Sequence, residues 1–280
     1  MRLANVAGRA SVVLGDGVAD VERASKGRFP SDPSAVFRGW DAFVDWARGL
    51  GPRDVTAPLR EADLGPPVPR PASVFAIGVN YREHAKEAGL ETPETPMVFT
   101  KFPSCLSGPR ADVVLSSGTV DWEVELVVVI GRGGRRIDEG RALEHVAGYC
   151  AGQDISDRRL QFSDRPPQFS LGKSLDGFGP IGPSVVTLDA FADPNDLGLT
   201  CDVGGERMQD ARTSDMIFGV PALVAYLSSF CTLEAGDLIF TGTPAGVGST
   251  RTPRRYLAAG DTIVSTIEGI GTLTNRCVAG

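Results

Sequence analysis

The chain has 280 residues, 42% of them hydrophobic and 22% charged. This is an ordinary globular composition, large enough to bury a substantial core. Its 28 basic and 35 acidic residues give a net charge of −7 with no basic stripe, which argues against nucleic acid or an anionic membrane as partners.

The 34 glycines and 20 prolines are scattered, a pattern of turn-rich β structure rather than disorder. Five cysteines (Cys105, Cys150, Cys201, Cys231 and Cys277) are odd in number, widely spaced and free of any C-x-x-C pair. They read as reduced, buried thiols. Residues 1–8 lack the apolar region of a signal peptide, and no apolar run is long enough to span a bilayer. A cytoplasmic location is expected.

In chain order, residues 1–64 read as a small N-terminal module. A short strand, Ala10 to Leu14, precedes a helix on which Trp40, Phe43, Val44 and Ala47 share a face. The proline-rich stretch 65–71 reads as a stiff linker and domain boundary. The main domain, 72–280, is expected to hold strands at Val74 to Val79, Val113 to Leu115, Trp122 to Ile130, Ser184 to Leu188, Leu199 to Val203, Leu238 to Thr241 and Thr262 to Ile267. Helices are expected from about Asp138 to Ala147 and from Pro221, with Val220, Leu223, Val224 and Leu227 on one face. Strands that outnumber helices, with long Gly/Pro loops, make this a β-rich α+β fold.

The segment Asp121-Trp122-Glu123-Val124-Glu125-Leu126-Val127-Val128-Val129-Ile130 carries the most information. Alternation puts Glu123, Glu125, Val127 and Val129 on one face, and both faces are otherwise apolar, as in a strand covered on two sides. The two carboxylates lie roughly 7 Å apart at Cα. If their oxygens converge to about 4–5 Å, repulsion at an effective dielectric of about 20 is on the order of 3 kcal/mol. A cation, protonation of one carboxyl, or an arginine would offset it; a solvated strand end would avoid it. A lone Asp154 closes the small-residue stretch 148–153. If it joins the pair, the site is all oxygen, which suits Mg²⁺ or Mn²⁺, with Ca²⁺ possible, better than Zn²⁺.

His84 and Glu87 lie three residues apart on a short helix bracketed by Asn80 and Gly89, so they share a face. A carboxylate beside imidazole orients it as a base; the alternative is a solvated helix with ordinary surface pairs. The polar loop 88–96 has the composition of a lid. Lys173 lies in a glycine-containing loop without a P-loop pattern. Residues Gly242 to Gly248 form either a backbone-amide nest for an anion or a tight turn. His145, late on an expected helix and without a partner, reads as structural.

Taken in order, Gly78-x-Asn80-Tyr81-x-x-His84-Ala85-x-Glu87, Asp121-x-Glu123-x-Glu125-Leu126, Gln153-Asp154-x-Ser156, Gly172-Lys173-Ser174 and Thr241-Gly242-Thr243-Pro244-Ala245-Gly246-Val247-Gly248 closely resemble the fumarylacetoacetate hydrolase family. The resemblance covers about residues 72–278 and points to the acylpyruvase and oxaloacetate decarboxylase-like branch. It implies a mixed β-sandwich roll of the family's C-terminal type and a homodimer. It makes Glu123, Glu125 and Asp154 the Mg²⁺ or Mn²⁺ ligands, His84 and Glu87 a catalytic dyad, and Lys173 the stabiliser of developing negative charge. Arg158, Gln161 and Thr243 match substrate-contacting positions.

The implied reaction is metal-assisted hydrolysis of a C–C bond in a small β-diketo acid, with His84 taking a proton from water. Oxaloacetate decarboxylation and enol isomerisation are alternatives in the family. A non-catalytic, metal-stabilised binding protein is a remoter one. Arg110 and the segment Arg251 to Arg255 either meet a second substrate carboxylate or are solvated.

Overall fold

The strand Val124–Ile130 is fully buried along its whole length, and its two faces enter two different cores. Val124, Leu126, Val128 and Ile130 belong to one; Val127 and Val129 belong to the other. The computed structural model describes residues 1–280. In it this strand sits inside a long mixed sheet, between Val146–Gln153 (antiparallel) and Leu238–Phe240 (antiparallel). Leu238–Phe240 pairs in parallel with Val74–Gly78, and Met97–Thr100 forms the far edge.

On its first face the sheet packs against a second sheet of five strands. These run in the order Glu206–Arg212, Gly198–Val203, Thr262–Ile267, Gly271–Ala279 and Val113–Leu115. Leu199, Cys201, Ile263, Ile267 and Leu273 fill the space between the sheets, and the helix Val220–Phe230 adds Leu223, Val224 and Leu227. This is the α+β architecture expected from the strand pattern, in the sandwich form that the family resemblance implied.

The leading residues cover the other face. Arg2–Val6 pairs antiparallel with Gly179–Val186, and Arg9–Leu14 and Gly17–Asp20 extend the same sheet outward. The helix Trp40–Ala47 buries Trp40, Phe43 and Ala47 against Val127, Val129 and Phe240. The 65–71 stretch lies against this sheet: Leu64–Gly65 pairs with Arg2–Val6, and Val68 is fully buried. The leading and main segments thus share one sheet and one core.

Several expected elements differ in detail, among them the strand expected at Ser184 to Leu188, which runs Gly179–Val186. The expected helix from Asp138 to Ala147 is a 3₁₀ helix, Glu139–His145, because Gly140 weakens α structure and Val146 is drawn into the sheet opposite Ile130. The strand expected to start at Trp122 starts at Val124, since Val120–Asp121 changes partner and pairs with Ser156–Asp157. Val79 leaves its strand with φ +54, a strained value for a β-branched residue. The neighbouring Asn80 holds that turn, donating to Phe218 and Thr241 carbonyls and accepting from Phe218 N–H. All five cysteines are free, and four are buried. No helix is long and apolar enough to cross a membrane.

Candidate active site

The break at Trp122–Glu123 builds the site. The ladder pairs Val124 with Gln153, and one step further the Asp154 N–H donates to the Glu123 carbonyl at 2.9 Å. Gln153 holds the break from the side: its amide oxygen accepts from the Glu123 N–H and its nitrogen donates to Ser265 Oγ. Antiparallel register therefore brings Asp154 beside Glu123. Gly152 stands directly across from Glu125, where a Cβ would come within 2.4 Å of Val127 Cγ2. As a result, one carboxylate oxygen each from Glu123, Glu125 and Asp154 lies within 4.8 Å of the others, all three residues being buried.

Four buried carboxylates (Asp121, Glu123, Glu125, Asp154) meet three buried cations. Lys173 Nζ donates to Glu123 at 2.9 Å, Asp154 at 2.6 Å and Ser156 at 2.8 Å. Arg158 lies 2.7 Å from Glu123 Oε1, donates to Asp121 through Nε at 2.9 Å, and donates to Gln161 at 2.8 Å. Lys101 donates to Asp154 Oδ1 at 2.7 Å and to the Lys173 and Phe178 carbonyls. Glu125 makes no ion pair. Its one polar partner is the Gly242 N–H, at 2.8 Å.

The electrostatics follow this unequal sharing. Burial pushes the Glu125 carboxyl well above its ordinary value, and the Asp154 and Glu123 charges push it further. Burial works the same way on Glu123, but Lys173 and Arg158 outweigh it and hold that carboxyl below its ordinary value. Burial depresses the Lys101 ammonium, yet Asp154 and its other anionic neighbours raise it overall. Four carboxylates thus meet three cations, and Glu125 is the one without an ion pair. The three convergent carboxylates, with no thiolate or imidazole among them, fit a hard divalent cation such as Mg²⁺ or Mn²⁺.

The loop after Phe240 supports the acids. Its amides bind the protein's own carboxylates: Gly242 N–H to Glu125, Gly246 N–H to Glu87 at 2.9 Å, and Gly248 N–H to Asp121 at 2.7 Å. Both Gly242 (φ +96) and Gly246 (φ +108) need glycine; a Cβ would meet Asn80 Cβ at 2.7 Å and the Met208 carbonyl at 2.1 Å, respectively. The nest reading of this stretch is thus realised with internal anions. The Thr243 hydroxyl is likewise engaged, donating to the Val124 carbonyl and accepting from Gln209.

His84 and Glu87 lie on the helix Arg82–Glu87, which ends at Gly89 with φ +68. His84 Nδ1 is 2.7 Å from Glu87 Oε1. Burial raises the Glu87 carboxyl, but the His84 and Gly246 contacts prevail and hold it below its usual value. With Nδ1 engaged, Nε2 is the nitrogen left for chemistry.

A cavity of about 730 Å³ joins these groups. His84, Glu123, Arg158, Gln161, Lys173 and Thr243 all line it, while Glu125 and Asp154 lie deeper and Glu87 stands behind His84. Ala88 and Leu90 of the 88–96 loop also reach the cavity. Arg254 lines it too, whereas Arg110 pairs with Glu61 away from it. His145 contacts the Arg132 carbonyl, outside the site.

Sequence reasoning missed the fully buried Lys101; its one signal was a single charge ending the apolar run Met97 to Thr100. It also passed over Asp121 as an anchor, although that residue stood inside a quoted motif.

A two-sided sheet that ends in buried carboxylates beside an open, polar-floored cavity is the architecture of a small-molecule enzyme. A family model described as fumarylacetoacetate (FAA) hydrolase C-terminal matches residues 73–278. The chain is 41% identical over 233 residues to the mitochondrial oxaloacetate tautomerase FAHD2B of Bos taurus, covering 82% of this chain and 74% of that one. A solved structure from Mycobacterium smegmatis superposes with a TM-score of 0.95 at 52% identity. The maleylpyruvate hydrolase of Sphingobium sp. SYK-6, solved with manganese(II) and pyruvate, superposes with a TM-score of 0.83 at 31% identity. Both cover 100% of this chain and 100% of their own. The protein is an enzyme of the fumarylacetoacetate hydrolase family.

Proposed function

We propose that this enzyme hydrolyses a C–C bond in a small β-diketo acid, of the acylpyruvate or fumarylacetoacetate-like kind, with Mg²⁺ or Mn²⁺ held by Glu123, Glu125 and Asp154. The observation that carries the reading is the convergence of three buried carboxylates, Glu125 among them without an ion pair, in a cluster that shares one cavity with His84 and Lys173. Support also comes from the manganese and pyruvate bound by the similar maleylpyruvate hydrolase.

When bound, the cation supplies Lewis acidity to the dicarbonyl oxygens of the substrate. His84, oriented through Nδ1 by Glu87, takes a proton from water at Nε2. The hydroxide attacks the distal carbonyl, the C–C bond breaks, and its electron pair passes to the pyruvate-side enolate. Lys173 exchanges one of its carboxylate contacts for that enolate oxygen, and the proton held on His84 completes the products, two acids. Glu87 stays ionised throughout, because the Gly246 amide and His84 both favour its charged form.

A second reading, enol–keto isomerisation or decarboxylation of oxaloacetate, is favoured by the 41% identity to an oxaloacetate tautomerase. It uses the same enolate stabilisation without an attacking water. Product analysis on acylpyruvates and oxaloacetate with added Mg²⁺ or Mn²⁺ tests the choice. Two acids from an acylpyruvate support hydrolysis. Carbon dioxide and pyruvate, or loss of enol absorbance without C–C cleavage, overturn it in favour of the second reading. We extend the proposal to a homodimer, to be checked by sedimentation. Exposed Val98, Phe102 and Leu171 near the Met97–Thr100 edge strand support it.

A further inference from the structure

The strand that carries Glu125 runs out of ladder just where the acids begin. Its register with Leu238–Phe240 sets Thr241 opposite Leu126, and the Thr241 N–H and hydroxyl both donate to the Leu126 carbonyl, at 3.1 and 2.9 Å. In the same register the next rung falls between Val124 and Thr243, but Gly242, with φ +96, turns the chain aside. Side chains close the gap in a ring. The Val124 N–H donates to Gln209 Oε1 at 3.0 Å, Gln209 Nε2 donates to Thr243 Oγ1 at 2.8 Å, and the Thr243 hydroxyl donates to the Val124 carbonyl at 2.9 Å. The second Nε2 hydrogen goes to the Pro244 carbonyl at 2.8 Å.

These partners fix the direction of the Gln209 amide, since only its oxygen accepts from an N–H and only its nitrogen donates to a carbonyl. The residue is 1% exposed and lies on Glu206–Arg212, the edge strand of the second sheet, outside the residues that line the cavity. It thus ties that sheet to the Val124 peptide, which stands between Glu123 and Glu125, and to the loop whose amides hold Glu125 and Glu87. The same strand backs that loop closely: a Cβ on Gly246 would meet the Met208 carbonyl at 2.1 Å and Gln209 Cγ at 3.3 Å. A buried, fully bonded ring of this kind specifies one geometry, and a single break leaves the Val124 N–H without its acceptor.

We propose that Gln209 is a positioning residue of the catalytic centre: through the ring it sets the convergence of Glu123 and Glu125 and the placement of the loop that presents amides to Glu125 and Glu87. This rests on the metal-centred reading above. Gln209 acts only through these groups, which a working site must hold to within about 0.5 Å.

The test uses Gln209→Met, which keeps the length of the side chain and removes both hydrogen-bonding ends. Calorimetry with Mn²⁺ should show the Kd raised about tenfold, as for other supports of a metal's ligands. With saturating Mn²⁺ and whichever of an acylpyruvate or oxaloacetate is turned over, kcat should fall about thirtyfold while KM stays within about threefold. Thr243→Val opens the same ring from its other side. The double variant should bind Mn²⁺ within about twofold of the weaker single one, because a ring is broken only once. Ile263→Val, in the core of the second sheet, should lower the urea midpoint and leave the Mn²⁺ Kd and kcat unchanged. A Gln209→Met protein that loses stability alone, with Kd and kcat intact, overturns the positioning role and leaves the metal reading standing. Additive effects on Kd overturn the ring. If Gln209→Met does not fold, Thr243→Val decides, and an unchanged Mn²⁺ Kd in it overturns the proposal. A parent that binds neither Mn²⁺ nor Mg²⁺ sinks the metal reading, and Gln209 is then judged on kcat, which must still fall in Gln209→Met. A parent with neither metal binding nor turnover overturns both.

Discussion

One face of the strand Val124–Ile130 and the residue that precedes it is buried in two different ways. Towards its end, Val127 and Val129 meet the leading residues, with Trp40, Phe43 and Phe240 filling the space. At its start, Glu123 and Glu125 are also buried but are covered by Lys173, Arg158 and a glycine amide. Apolar cover stabilises by the area it removes from water and is indifferent to detail. Ionic cover repays desolvation only where every charge has a partner, and at Glu125 one does not. The apolar end should therefore determine stability, and the ionic end chemistry.

The largest expected effect separates the two ends. Glu125→Gln keeps the shape and the contact with the Gly242 amide but removes the charge. It should lower kcat/KM by on the order of 10³, the several kcal/mol that a Lewis acid supplies, while the metal-free protein unfolds at unchanged or higher denaturant concentration. A variant that loses stability and keeps its activity breaks the comparison. His84→Ala should lower hydrolysis by about 10²-fold and leave calorimetric metal binding unchanged. Full turnover by that variant would remove His84 from the mechanism.

At the apolar end the pattern should invert. Val127→Ala should cost about 2 kcal/mol in urea unfolding, with kcat/KM per folded molecule unaffected.

Glu87 gives a smaller, pH-dependent effect. Its folded pKa lies below the unfolded value of about 4.3, so ionised Glu87 stabilises the fold above that pH, and the contribution is lost as pH falls through the folded value. Glu87→Gln should therefore be less stable than the parent at neutral pH, and the gap should close in acid; a gap that widens there contradicts the assignment. Smallest of all, Arg110→Gln breaks an exposed pair with Glu61 and should shift stability by no more than about 0.5 kcal/mol, with no change in turnover.

Much of this was legible in the chain itself. Alternation along Glu123 to Ile130 showed a strand covered on both sides with two acids entering it, because side-chain direction in a strand follows position alone. The spacing of His84 and Glu87 put them on one helical turn for the same local reason, and the five motifs in order pointed to the family. The sequence could also show that two buried acids need compensation, but not which of several groups supplies it.

The tertiary structure decided everything that depends on pairing between distant segments. Antiparallel register set Asp154 beside Glu123 across the break after Asp121, a contact that no spacing encodes. It drew Lys101 under Asp154 and turned the amides of Gly242, Gly246 and Gly248 onto three carboxylates. It also joined the leading residues to the main sheet, although composition suggested a boundary at 65–71. Local propensity acts over a few residues, whereas a charge cluster is balanced over every element that reaches it. The sequence therefore named the acids, and the fold determined which of them makes no ion pair.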